Sequence, residues 1–520
     1  MATTAQELAQ AYALDGPALE LGAVVLDGQA TPEARVRMPL SMLNRHGLVA
    51  GATGTGKTKT LQLMAEQLSS AGVPVFLADV KGDVSGLGAP GLDSERVRAR
   101  AAETGTTWTP AGFPVELLSL GGLGEGVPVR ATITSFGPVL LSKVLGLNDT
   151  QESSLGLVFH FADSAGLPLL DLKDLRAVIA HLTSAEGKQE LAALGGLSKA
   201  TAGVVLRELI ALEQAGGDVF FGEPEFDTAD LLRTTPDGRG VLSVMGLAAV
   251  QDRPALFSTF LMWLLADLFG DLPEVGDVEQ PKLVFFLDEA HLLFDDASEA
   301  FLDAIARTVR LIRSKGVGVF FVTQTPKDVP SEVLAQLGNR VQHALRAFTP
   351  DDAKALKATV STFPRSEAYD LTTLLTSMGT GEAAVTILSE RGAPTPVVWT
   401  RLRPPASLMA QLDPAEHTRI VQASPLLAEY GTPVDRDSAY ERLLAKVTPP
   451  EPVEAGPERP PPRPRARREE PEEPSGLQKV LGSSVFRSFA RSAASAAGRE
   501  ITRSLFGTAP RRRARTRRGW

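Results

Sequence analysis

The sequence predicts an α/β fold built around a mostly parallel sheet, and three observations carry that expectation. Short apolar runs rich in Val, Phe and Leu recur at Gly47–Ala50, Val75–Ala78, Val241–Met245, Leu283–Leu287 and Val317–Thr323. Stretches of helical periodicity separate them, as crossover helices separate parallel strands. Two of the runs end in polar residues suited to a ligand, at the strand ends where open α/β sheets place their sites.

The first run leads directly into Gly51-Ala52-Thr53-Gly54-Thr55-Gly56-Lys57-Thr58, a complete G-x-x-x-x-G-K-[ST] match. A helical pattern through Leu61, Met64, Ala65 and Leu68 follows, which gives the strand–loop–helix setting the motif requires. Glycines let the backbone wrap closely around phosphate, and successive N–H groups then point at the anion. The helix N-terminus adds its positive end. Lys57 is expected to reach the β- and γ-phosphates of ATP and Thr58 to ligate Mg²⁺, with Lys59 closing the nucleotide-binding stretch. The alternative, a glycine-rich turn that binds nothing, fits eight matching positions poorly.

Between this first part of the core (1–92) and the next strand pair lies a long, largely helical stretch, 93–275, read as an insertion. It includes the helical segments Asp171–Leu182 and Lys199–Gln214. Phe257–Phe269 is the most apolar run of the chain, but it is too short to span a bilayer and carries Asp267, so a buried helix is expected.

The second part of the core, 276–447, opens with Lys282-Leu-Val-Phe-Phe-Leu-Asp288-Glu289-Ala290-His291. A buried strand delivering Asp288 suits the Mg²⁺ shell, and Glu289 beside it can polarise a water for attack on the γ-phosphate. Alternatively, the two acids simply begin a solvated helix. The next strand ends in Thr323-Gln324, where an amide can sense the γ-phosphate or only cap the turn before Pro326. Arg310, Arg313 and Arg340 are candidates for an arginine finger reaching across a subunit interface, or surface ion-pair partners.

Composition narrows the chemistry. There is no Cys among 520 residues, which excludes disulfides, thiolate catalysis and Cys-based metal sites. Six scattered His disfavour a His metal site, and the N-terminus lacks a secretory pattern, so a cytoplasmic protein is expected. The net charge of −9 conceals an asymmetry. Residues 451–520 hold 16 Lys/Arg against 8 Asp/Glu, or +8, leaving −17 on the preceding 450. The segment 448–474, TPPEPVEAGPERPPPRPRARREEPEEP, reads as a disordered polyproline-like linker, since it has too little apolar surface to offset ordering. Within 475–520, Leu477, Leu481, Val485, Phe489, Ala493, Ala497, Ile501 and Leu505 form one stripe of an amphipathic helix. Arg487, Arg491, Arg499 and Arg503 form a second, basic stripe.

Asp288-Glu289-Ala290-His291 invites a DEAH-box helicase reading, but 231 positions separate Lys57 from Asp288, and the later helicase elements are absent. The chain instead resembles the HerA/FtsK superfamily of ring-forming ATPases, and within it the bacterial HerA-like, YjgR-type branch. The resemblance is carried by Arg45–Gln62, Phe76–Leu87, Phe220–Leu232, Pro281–Phe294 and above all Val309–Leu356, blocks distributed over residues 20–405. It implies a RecA-type fold and a hexamer with ATP between subunits. It also implies Walker B roles for Asp288 and Glu289, a sensor role for Gln324, and a place near the nucleotide for Asp79, Lys81 and Asp83. HerA proper carries an N-terminal β-barrel that docks a nuclease; only about fifty residues precede the loop here, so no nuclease partner is inferred. Two functions are in view: an ATP-driven motor on DNA, or an ATP-gated scaffold or pump whose basic helix docks to membrane or a protein partner. That helix could equally pack on its own acidic body.

Overall fold

A computed structural model describes residues 4–13, 16–191, 195–276, 278–294, 299–389 and 391–447. The expected linker 448–474 and tail helix 475–520 lie outside the described residues. Twelve strands form one sheet: β1 (Ala18–Leu26), β2 (Gln29–Pro39), β3 (Gly47–Ala50), β4 (Val75–Asp79), β5 (Val115–Leu120) and β6 (Val127–Val129) come first. β7 (Leu242–Gly246), β8 (Leu283–Leu287), β9 (Val317–Thr323), β10 (Asn339–Gln342), β11 (Glu382–Thr386) and β12 (Val398–Leu402) complete it. The spatial order is β2-β1-β12-β11-β10-β3-β9-β8-β4-β7-β5-β6.

The eight strands from β10 to β6 are all parallel. β8 and β9 are buried at every position, as LVFFL and VGVFFVT require when both faces are covered. Side chains alternate between two cores. Phe285 and Leu287 join a helix-rich cluster, while Val284 and Phe286 face the opposite cluster with Leu61, Met64 and Leu68 of the Lys57–Ser70 helix.

The remaining four strands pair antiparallel. β1 and β2 turn at Asp27-Gly28, both at positive φ (51° and 78°), which the twist of a tight hairpin demands. β2, at the sheet edge, is exposed or half-buried over its first half.

Residues 93–275 supply helices Ile133–Val144, Asp149–Ser164, Leu172–Thr183, Lys199–Leu212 and Pro254–Asp271. They also supply β5, β6 and β7, which extend the same sheet beyond β4. The apolar Pro254–Asp271 helix begins on a proline at its first position and lies buried, with Phe260 at 0% and Trp263 at 1% exposure. No helix among the described residues is long and apolar enough to cross a membrane. Past β12 the chain returns as a strap: Ala406 and Ser407 N–H groups donate to the Glu66 carboxylate, and Gln62 donates to Leu408 O.

Candidate nucleotide site

The parallel strands β3, β9, β8 and β4 open their carboxyl ends on one edge of the sheet, and the polar residues cluster there. The loop after β3 is hung from its neighbours: Gly51 N–H donates to Thr323 O at 3.2 Å and Ala52 N–H to Ala344 O at 2.8 Å. Two glycines are obligatory. A Cβ at Gly51 would sit 2.4 Å from the His343 Cβ, and Gly56 holds φ 113° immediately before the helix. Thr53 and Gly54 are exposed at the crown of the loop.

Lys57 is the first residue of its helix and only 7% exposed. Its Nζ turns back on the loop, donating to Gly51 O at 2.7 Å and Ala52 O at 3.3 Å. Burial lowers its pKa; the carboxylates of Glu289, Asp288 and Asp328 oppose that, while Lys81 adds to it. Thr58 is half-buried behind it, and Lys59 reaches along the helix to Gln62 Oε1 at 2.9 Å.

Asp288 follows β8 and is 3% exposed. Its Oδ1 accepts from Glu289 N–H at 2.9 Å, whereas Oδ2 is buried without a hydrogen-bond partner. Burial, then the adjoining Glu289 charge, pushes the carboxyl up to about 7. Glu289 has φ 47°, an unusual conformation for a residue with a side chain. It is 5% exposed; its Oε1 accepts from the Lys81 ammonium, and His291 Nδ1 lies 3.3 Å from Oε2. Burial alone would raise the Glu289 pKa, but the Lys81 hydrogen bond and charge outweigh it and hold the carboxyl below its ordinary value.

β9 runs between β3 and β8, so Gln324 emerges between the phosphate loop and Asp288, and it is exposed. Asp328 fixes that turn, accepting from Thr323 Oγ1 at 2.8 Å and Thr325 N–H at 3.0 Å. The structure thus gathers Lys57, Thr58, Asp288, Glu289 and Gln324 on one edge. It does not bring the arginines there. Arg310, exposed on the Glu299–Ile312 helix, and Arg313 in the following turn lie at the amino end of β9. Arg340 pairs with Leu48 in register and donates to Thr362 Oγ1 at 2.6 Å.

Two further groups support the site. The Asp79 carboxylate at the end of β4 accepts from Gly82, Asp83 and Val84 N–H groups, shaping the turn that presents Lys81. His343 is fully buried beneath the loop, with Nε2 2.9 Å from Thr60 Oγ1.

A phosphate loop on one strand, acids two strands away and an amide on the strand between, at one edge of a parallel sheet, define a class: P-loop ATPases of RecA-like fold. The chain belongs to the helicase HerA-like C-terminal family, whose model matches residues 25–515, within the HerA/FtsK superfamily. The conjugative coupling protein TrwB, in complex with ADP and Mg²⁺, shares the fold at TM-score 0.53 and 16% identity, over 80% of this chain and 95% of that one. Its complex with the non-hydrolysable analogue ADPNP gives 0.52 and 15% over the same shares. A "Probable helicase MJECL08" of Methanocaldococcus jannaschii is 29% identical over 154 residues, a match spanning 28% of either chain.

Proposed function

We propose that this protein is an ATP-hydrolysing motor that assembles into a ring, in the manner of a hexamer, and works on DNA. The observation that carries the hydrolytic part is Glu289, a second carboxylate beside Asp288 at the strand edge that faces the phosphate loop. In this reading Lys57 leaves the loop carbonyls for the β- and γ-phosphates, the loop N–H groups hold the anion, and Gln324 contacts the γ-phosphate. Glu289 orients the attacking water and takes its proton.

The residues fit Mg²⁺. Asp288 offers a buried oxygen without a hydrogen-bond partner, and Thr58 a hydroxyl at the helix start. No cluster of three or more metal-ligating His, Asp or Glu occurs among the described residues, which suits an ion held by one carboxylate, one hydroxyl and substrate phosphates. Bound there, Mg²⁺ would neutralise charge on the phosphates. Arg310, Arg313 and Arg340 lie away from the carboxyl edge of their own subunit, so any of them acting as a finger does so in a neighbour's site.

The reading is tested by ATP turnover with and without DNA, alongside mass in solution. Lys57→Ala is expected to abolish nucleotide binding. Glu289→Gln is expected to retain binding while turnover falls by about 10²–10⁴-fold. Turnover indifferent to both single- and double-stranded DNA would remove DNA from the account, and a monomer with ATP bound would remove the ring.

A further inference from the structure

The Lys81–Glu289 ion pair is a contact that the hydrolytic reading does not use and must account for. A general base needs a carboxylate oxygen free to meet the attacking water. In the arrangement described above Oε1 is engaged by the Lys81 ammonium, while Oε2 is buried without a hydrogen-bond partner, so the pair holds one of the two Glu289 oxygens. The two partners differ in freedom. Glu289 is fixed, with its side chain 6% exposed on a left-handed backbone, whereas 46% of the Lys81 side chain is exposed. The Lys81 backbone is itself held, since the following residues donate to Asp79 and Gln411 Nε2 donates to Lys81 O at 3.4 Å. What remains mobile is a four-carbon stem carrying a charge, able to swing from a pinned turn.

The surrounding charge sets where it would swing. Lys81 and Lys57 act on the same two carboxylates, Glu289 and Asp288, so the two ammonium groups share one small field. A terminal phosphate placed among them by the loop carries more charge than a carboxylate and offers three acceptor oxygens. We infer that Lys81 exchanges partners, resting on Glu289 when no terminal phosphate is bound and moving to the γ-phosphate of a nucleoside triphosphate when one is. Lys81 then discriminates triphosphate from diphosphate, and the same movement frees Glu289 to act as base only when there is a phosphate to attack. This inference rests on the ATPase reading above and adds the residue that couples substrate recognition to activation of the base.

The test is a double-mutant cycle on the full chain, reading the affinities for ADPNP and for ADP, each with Mg²⁺. Lys81→Ala is expected to weaken ADPNP by about tenfold or more and ADP by less than about threefold, since only the former carries the contacted phosphate. Glu289→Gln removes the competitor for the ammonium, so it tightens ADPNP by about tenfold in the wild-type background and by less than about threefold once Lys81 is alanine. Lys81→Arg should keep most of the discrimination, and all variants should share the wild-type melting transition. Equal losses for the two nucleotides, or a Glu289→Gln effect of the same size in both backgrounds, would overturn the inference. Those outcomes leave the ATPase reading standing, whereas a wild-type chain that binds neither nucleotide overturns both.

Discussion

Buried beneath the phosphate loop, the His343 ring is fixed by the Thr60 hydroxyl, and burial together with the Lys57 charge lowers its pKa to about 4. An unfolded imidazole titrates at about 6.5, so between these values the unfolded chain binds the proton and the folded chain does not. His343 therefore contributes stability that is fully present above pH 6.5 and is lost as pH falls towards 4, by up to about 3 kcal/mol. Denaturant midpoints measured from pH 7.5 to 4.5 should decline more steeply for the wild type than for His343→Gln. His46, likewise buried and lowered to about 4, supplies part of the same slope and stays in the variant. Identical slopes would show that His343 is not the group responsible. These residues mark the limit of legibility at this scale. That Lys57, Thr58, Asp288 and Glu289 come together was readable because each stands in a motif made of immediate neighbours along the chain. His343 meets Thr60 across 283 positions and Lys81 meets Glu289 across 208, and pairings of that range leave no periodicity or local motif.

Among elements, the strap after β12 binds the last part of the sheet to the loop that carries Lys81. Leu412 N–H donates to Ser85 Oγ and Leu408 N–H to Ala89 O, so the strap lies directly on the turn after β4. Gly86 is where they meet: a Cβ there would stand 2.0 Å from Ala410 O and 2.3 Å from Leu408 O, both backbone atoms. Gly86→Ala must push the strap away, at a cost of about 1–3 kcal/mol. A lowered melting temperature together with faster proteolysis near residue 410 would establish this; an unchanged melting temperature would show that the strap moves freely. The strap was not foreseen, because its hold is made of backbone groups, one hydroxyl and one carboxylate rather than an apolar pattern. The five apolar runs, in contrast, became central strands because burial on both faces writes itself as continuous Val, Phe and Leu. β6, three residues reading VPV, is too short to carry a period, and β11, reading EAAVT, has small residues where apolar bulk would have signalled a strand.

For the whole molecule the decisive quantity is the division of charge. The first 450 residues carry −17 and the last 70 carry +8. A DNA phosphate approaching the body meets net repulsion unless basic groups are concentrated where it binds, whereas the tail attracts it without regard to sequence. A chain ending at Pro450 should therefore keep the sheet and its basal ATP turnover but lose most of its affinity for DNA. The loss has a signature that distinguishes it from damage to the core. Each tail cation seated on a phosphate of duplex DNA contributes about 0.9 to the slope of log affinity against log salt, and about 0.7 on a single strand. The full chain should show a steep slope and the truncated chain a shallow one, measured by titration at several salt concentrations. Equal slopes would assign the phosphate contacts to the body instead. The acidic body would then have to gather its basic residues along the path of the DNA, and the tail would be left for another surface.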